Sequence, residues 1–183
     1  MFCAGEDQYE ASPGGHAAAG TKRDGVAWNR TLVLGIGNTL LGDDGAGVQL
    51  VGRLQKQLGA DAATFIDGGT IGFALASYVE SSDSMLVVDA AELAAEPGTV
   101  ALFEGASMDR FLASARRRTV HEVGLIDLLD MARLQDCLPQ RRALLCIQPA
   151  RIDWSETLST PVLAALDEAL ALARAVLGRW QLR

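Results

Sequence analysis

The chain has 183 residues, 49% of them hydrophobic and 21% charged, and carries a formal net charge of −7. That length suits one full hydrophobic core rather than two. The acidic balance argues against a nucleic-acid partner, whose affinity comes largely from Lys and Arg, and the apolar stretches break well short of the roughly 18–20 residues that span a bilayer.

Residues 1–29 read as a disordered extension, rich in Gly, Ala, Ser and charge, without hydrophobic period and punctuated by Pro13-Gly14-Gly15. Glu6, Asp7 and Glu10 fall where a secretory signal needs an apolar run, so export is not expected. Cys3, Cys137 and Cys146 are widely spread with no C-x-x-C, which suggests neither a disulfide framework nor a zinc knuckle and fits a reducing cytoplasm. A single α/β domain is expected over 30–183.

The ordered part opens with Thr31-Leu32-Val33-Leu34-Gly35-Ile36, an apolar run ending in Gly, the pattern of a buried parallel strand. Val48, Val51, Leu54 and Leu58 are spaced by three and four and predict a helix over 47–58. A strand over 63–66 then leads into an Asp67-Gly68-Gly69-Thr70 loop, a helix over 71–79 and a strand over 85–88. Pro97-Gly98 marks a turn before a strand over 99–103, and Arg116-Arg117-Arg118 reads as a solvated helix end or loop. Val123, Ile126, Leu129 and Leu134 predict a helix from Val120 to Leu134, and 143–147 is the last strand. Pro161 opens a final Ala/Leu-rich helix capped by Ser159 or Thr160. Such alternation implies right-handed β-α-β crossovers, hence a three-layer α/β fold with a mostly parallel twisted sheet and helices on both faces.

In open sheets of this kind ligands collect at the carboxyl ends of the strands. Gly37-Asn38, Asp67-Gly68 and Asp89-Ala90 stand there. Gly35-Ile36-Gly37-Asn38-Thr39-Leu40 begins like a dinucleotide loop, but Leu40 replaces the third glycine and Asp43-Asp44 would repel a pyrophosphate. One of Asp43 and Asp44 suffices as a helix cap, leaving the other free to face the strand ends beside Asp89. Asp89 follows four apolar residues, where a carboxylate costs desolvation unless it is paired, hydrogen-bonded or bound to a cation; an Asx turn is its structural alternative. His121 is the one histidine beyond the extension, at the start of a predicted helix. It is either structural or the nitrogen partner of two carboxylates, a set suited to Ni²⁺ or Zn²⁺. No G-x-S-x-G or H-E-x-x-H occurs, so a peptidase of the familiar nucleophilic or zinc-helix type is not indicated.

The combination of Gly35-Ile36-Gly37-Asn38, Asp43-Asp44-Gly45-Ala46-Gly47-Val48, Asp67-Gly68-Gly69-Thr70, Val88-Asp89-Ala90 and His121-Glu122-Val123-Gly124-Leu125 resembles the NiFe-hydrogenase maturation endopeptidases. The resemblance runs from Thr31 to Leu177, and the 1–29 extension is outside it. It implies a hydrolase, aspartic-type or metal-assisted, that removes a C-terminal extension from the hydrogenase large-subunit precursor after nickel insertion. It further implies that Asp44, Asp89 and His121 touch the metal, that Asp44 and Asp89 serve catalysis, and that Asp67 aligns substrate or the attacking water. The nickel is then presented by the precursor, with no tightly bound metal or other cofactor expected in the enzyme. The family carries Glu or Asp at the first ligand position, and Asp44 is the shorter of the two. Two other readings are a non-catalytic nickel-delivery or checkpoint protein using the same ligands, and a Rossmann-type nucleotide-binding oxidoreductase.

Overall fold

β1, Thr31–Ile36, is buried along its whole length because neighbours flank it on both edges and helices cover both faces. In this computed structural model, which describes residues 30–69, 73–115 and 120–181, β2 (Thr64–Gly69) and β3 (Ser84–Ala90) pair with β1 in parallel. β5 (Arg141–Ile147) continues the parallel set beside β3, and β4 (Val100–Glu104) closes the far edge antiparallel to β5. The order is β2-β1-β3-β5-β4.

Alternation along the strands divides the core into two. Val33, Leu86, Val88, Leu145 and Ile147 face α1 (Ala46–Leu58) and α5 (Thr160–Gln181). Leu34, Met85, Val87, Leu144 and Cys146 face α2 (Ala76–Glu80), α3 (Ala106–Ala115) and α4 (Val120–Leu134). The expected three-layer, mostly parallel α/β architecture is therefore the one observed. Among the described residues no helix is long and apolar enough to cross a membrane.

α1 lies unusually close to the sheet, and glycine makes that possible. A Cβ on Gly35 would come within 2.8 Å of the Gly47 carbonyl oxygen, and one on Gly47 would strike the carbonyls of Ile36 and Val88. The start of α1, with the 3-10 turn Gly42–Gly45 before it, thereby rests on the ends of β1 and β3.

The elements depart from their sequence patterns in four places. β2 runs through Asp67-Gly68-Gly69, so these residues are strand rather than loop; Gly35 pairs with Asp67 and Ile36 with Gly69, with a bulge between. β3 extends through Asp89 and Ala90 because β5 continues the ladder opposite them at Cys146 and Ile147. The helix expected over 71–79 is a 3-10 turn, Phe73–Leu75, followed by five-residue α2. α3 is a helix that the spacing does not announce, since Met108, Phe111 and Leu112 cover little more than one turn. Residues 1–29, Thr70 and Arg116-Arg117-Arg118 lie outside the described residues.

Candidate active site

The first loop is laced to its neighbours at the carboxyl end of the sheet. Gly37 donates its N–H to the Gly69 carbonyl at 3.0 Å, which ties the end of β1 to the end of β2. Its φ of +124° and the Asp44 carbonyl, which a Cβ would overlap, leave room for glycine alone. The next residue, Asn38, donates its N–H to Asp44 Oδ2 at 2.7 Å and accepts the Leu40 N–H on its own Oδ1 at 2.9 Å. Asp44 is buried within the Gly42–Gly45 turn, which packs against β3.

Asp89 is the penultimate residue of β3 and is buried opposite Cys146. By the two-residue alternation of a strand its side chain shares the face of Met85 and Val87, the face that α4 covers. The strand end that carries it is held by Gln148, just beyond β5. Gln148 accepts the Leu93 N–H at 2.7 Å and donates to Glu92 Oε2 at 3.2 Å, pinning the segment after β3.

His121 is the second residue of α4, and its side chain lies outside the described residues. The direction of its helix is nonetheless fixed. Near the end of α4, Arg133 meets Asp109 at 2.9 Å, and Asp109 also holds Arg142 at the beginning of β5. The last turn of α4 therefore sits at the amino ends of the strands. Fifteen residues rise about 22 Å, so the first turn, with His121, lies toward the carboxyl ends, where Asp44 and Asp89 are.

Asp67 is exposed on edge strand β2, with Oδ1 accepting the Gly69 N–H at 2.9 Å. Together with Gly37, Asn38, Thr39 and Gly69 it lines an open cleft of ≈ 250 Å³. Asn38 links the two parts of the site, because it borders this cleft and bonds Asp44. Among the described residues no three His, Cys, Asp or Glu groups gather as a metal-binding cluster, a set from which the His121 side chain is missing.

Asp43 corrects the expectation of a helix cap. The N-cap positions of the Gly42–Gly45 turn and of α1 are held by Leu41 and Gly45, neither of which makes a side-chain capping bond. Asp43 is instead fully buried and accepts four hydrogen bonds from the 148–159 segment. They come from the N–H groups of Ala150 (2.9 Å), Arg151 (3.1 Å) and Ser159 (2.6 Å) and from the Ser159 hydroxyl (2.8 Å). Burial pushes its pKa upward, but the donors of Ser159, Ala150 and Arg151 outweigh this and hold it below the ordinary carboxylate value. Ser159 in turn accepts the first helical bond of α5, from the Leu163 N–H, as the predicted cap. Asn38, Asp43 and Gln148 are thus supports of the site; the sequence marks Asn38 by its place after β1 and Asp43 by the Asp43-Asp44 doublet, and carries no signal for Gln148.

Residues 48–175 match the family described as HycI, hydrogenase maturation protease. The chain belongs to this family. The protease is 35% identical over 154 residues to the hydrogenase expression/formation protein HupD of Bradyrhizobium diazoefficiens, a match covering 83% of this chain and 80% of that protein. It is 29% identical over 150 residues to the hydrogenase 2 maturation protease of Escherichia coli, covering 81% and 90% of the two chains. In structure it resembles the hydrogenase maturating endopeptidase HybD from E. coli, with a TM-score of 0.75, 27% identity and coverage of 82% and 93%. The HybD protease from Thermococcus kodakarensis gives 0.67, with 26% identity and coverage of 80% and 98%. The protease is accordingly a hydrolase, an endopeptidase of hydrogenase maturation. Gly35 and Gly37 serve the approach of α1 and the turn over Asp44.

Proposed function

We propose that this protease removes the C-terminal extension of a NiFe-hydrogenase large-subunit precursor once nickel is in place, and that Asp44, Asp89 and His121 contact the precursor's nickel. The reading rests on one observation: two buried carboxylates from different elements occupy the same end of the sheet, toward which the helix bearing His121 begins. Oxygen and imidazole donors of this kind suit a borderline divalent ion that already has thiolate ligands from the substrate. Specificity then follows from the metallation state of the precursor.

Docking through the ion would hold the scissile bond beside Asp44 and Asp89, where a carboxylate takes a proton from the attacking water and returns it to the leaving amine. Asp67, on the open cleft, aligns the extended substrate segment. The wide spacing of the cysteines, with no C-x-x-C, is in keeping with action in a reducing cytoplasm.

The test is to incubate the protease with nickel-loaded and nickel-free precursor and to weigh both by mass spectrometry. Shortening of the nickel-loaded form alone is expected. An unchanged mass would leave a nickel-delivery or checkpoint role, and equal shortening of both forms would remove nickel from the recognition step.

A further inference from the structure

Beside the site, three large apolar side chains face solvent: Leu40 is 46%, Ile152 51% and Trp154 82% exposed. Leu41 and Ser155 form a parallel β-bridge, in which Ser155 donates to the Leu40 carbonyl at 3.0 Å and accepts the Gly42 N–H at 2.7 Å. Leu40 and Trp154, each one residue before a bridge partner, are therefore register neighbours on one face of that bridge. Ile152 lies two residues earlier on the same loop.

The exposure is not that of a loose segment. Asp43 grips the loop at Ala150 and Arg151 on one side and at Ser159 on the other, Ser155 ties its middle to Leu40–Gly42, and Leu158 packs into the core. A backbone so restrained holds Trp154 in water at a hydration cost that a monomer gains nothing from, and such apolar clusters mark interfaces. Trp is also the residue type most enriched among side chains that dominate binding energy.

The position selects the occupant. Leu40 stands two residues after Asn38, which lines the cleft and bonds Asp44, and Gly42 adjoins Asp43-Asp44. A protein whose scissile segment enters the cleft must lay the surface flanking that segment over this loop. On the rim Arg151 pairs with Asp153 at 3.8 Å and Glu156 is exposed beyond Ser155, so the patch offers apolar area with charge only at its edge. We propose that Leu40, Ile152 and Trp154 form a docking platform for an apolar surface of the large-subunit precursor beside its cut segment. This rests on the function proposed above.

The experiment measures the Kd of nickel-loaded precursor for the full-length protease, and separately KM and kcat for its cleavage. Trp154→Ala is expected to raise Kd and KM about 10- to 100-fold and to leave kcat at saturating precursor within about twofold. Its melting temperature should not move, because the side chain supports nothing in the core. Ile152→Ser should raise Kd by a smaller factor and keeps the test open if the first variant is lost. Leu134→Ala, which alters an exposed leucine at the other end of the sheet, should change neither constant. An unchanged Kd in Trp154→Ala would overturn the platform, as would a loss of kcat at constant Kd. Self-association of the wild type that Trp154→Ala abolishes would also overturn it, by giving the patch to a second copy. A wild type that binds precursor tightly through Trp154 yet never shortens it would refute the proteolytic reading while leaving the platform standing.

Discussion

The backbone N–H of Asn38 donates to Asp44 Oδ2 at 2.7 Å, so the loop leaving β1 sets where one of the two buried carboxylates points. The contact depends on Gly37, whose positive φ turns the chain over the Asp44 carbonyl. Gly37→Ala combines a strained conformation with a steric overlap and should cost at least about 2 kcal/mol. Processing of precursor, read by gel shift, should fall further than the melting temperature alone explains. A variant with full activity would show that the position of Asp44 does not matter.

Asp89→Asn keeps the shape of the side chain and removes its charge. If the carboxylate acts on the nickel-bearing substrate, processing should vanish while the thermal melt stays within a few degrees of wild type. A fully active variant ends the assignment. An unfolded one would return Asp89 to a structural role.

Asp43→Asn tests the clamp. An amide can accept on one oxygen only and turns its NH₂ toward donors, so some of the N–H groups of Ala150, Arg151 and Ser159 lose their partner in a buried place. The expected loss is about 2–4 kcal/mol, or roughly 5–15 °C in melting temperature for a chain of this size. Part of the activity should go with it, since the same turn carries Asp44.

The same carboxylate predicts how stability follows pH. Asp43 and Asp109 both titrate below their ordinary value in the folded protein. For Asp109 the hydrogen-bonded Arg142 is the main cause, partly opposed by burial. A lowered folded-state pKa contributes stability that is fully present above the unfolded value of about 3.9 and fades as pH falls through the folded one. The melting temperature should therefore drop steeply below about pH 4. The gap between wild type and Asp43→Asn should narrow over that same range, and a constant gap from pH 7 to pH 2 would contradict the assignment.

Two carboxylates and one imidazole would form an open, weakly binding set without thiolate. Dialysis of the purified protease against chelator should therefore shift its melting temperature little. Elemental analysis finding one firmly held metal per chain after dialysis would replace the substrate-nickel mechanism with that of a resident metal.

What the sequence alone determined is what nearest neighbours and short periods encode. Four apolar residues before Asp89 make a buried strand with a carboxylate near its end, and Val51 and Leu54 mark the face on which α1 packs. The Gly and Asp residues at the carboxyl ends of β1, β2 and β3 mark the end of the sheet that carries the site. Tertiary structure decided the rest, because hydrophobic spacing reports that a face is buried and not which distant groups meet it. Asp43 and Asp44 are indistinguishable as a doublet; only the donors of Ala150, Arg151 and Ser159, 107 to 116 residues further on, make one a clamp and leave the other at the strand ends. The direction of α4, and with it the end of the sheet that His121 approaches, is likewise set by Arg133, Asp109 and Arg142 meeting from three elements. Trp154 reads in sequence as one more apolar residue. A bridge to Leu41 and a buried carboxylate behind it are what hold it out in water.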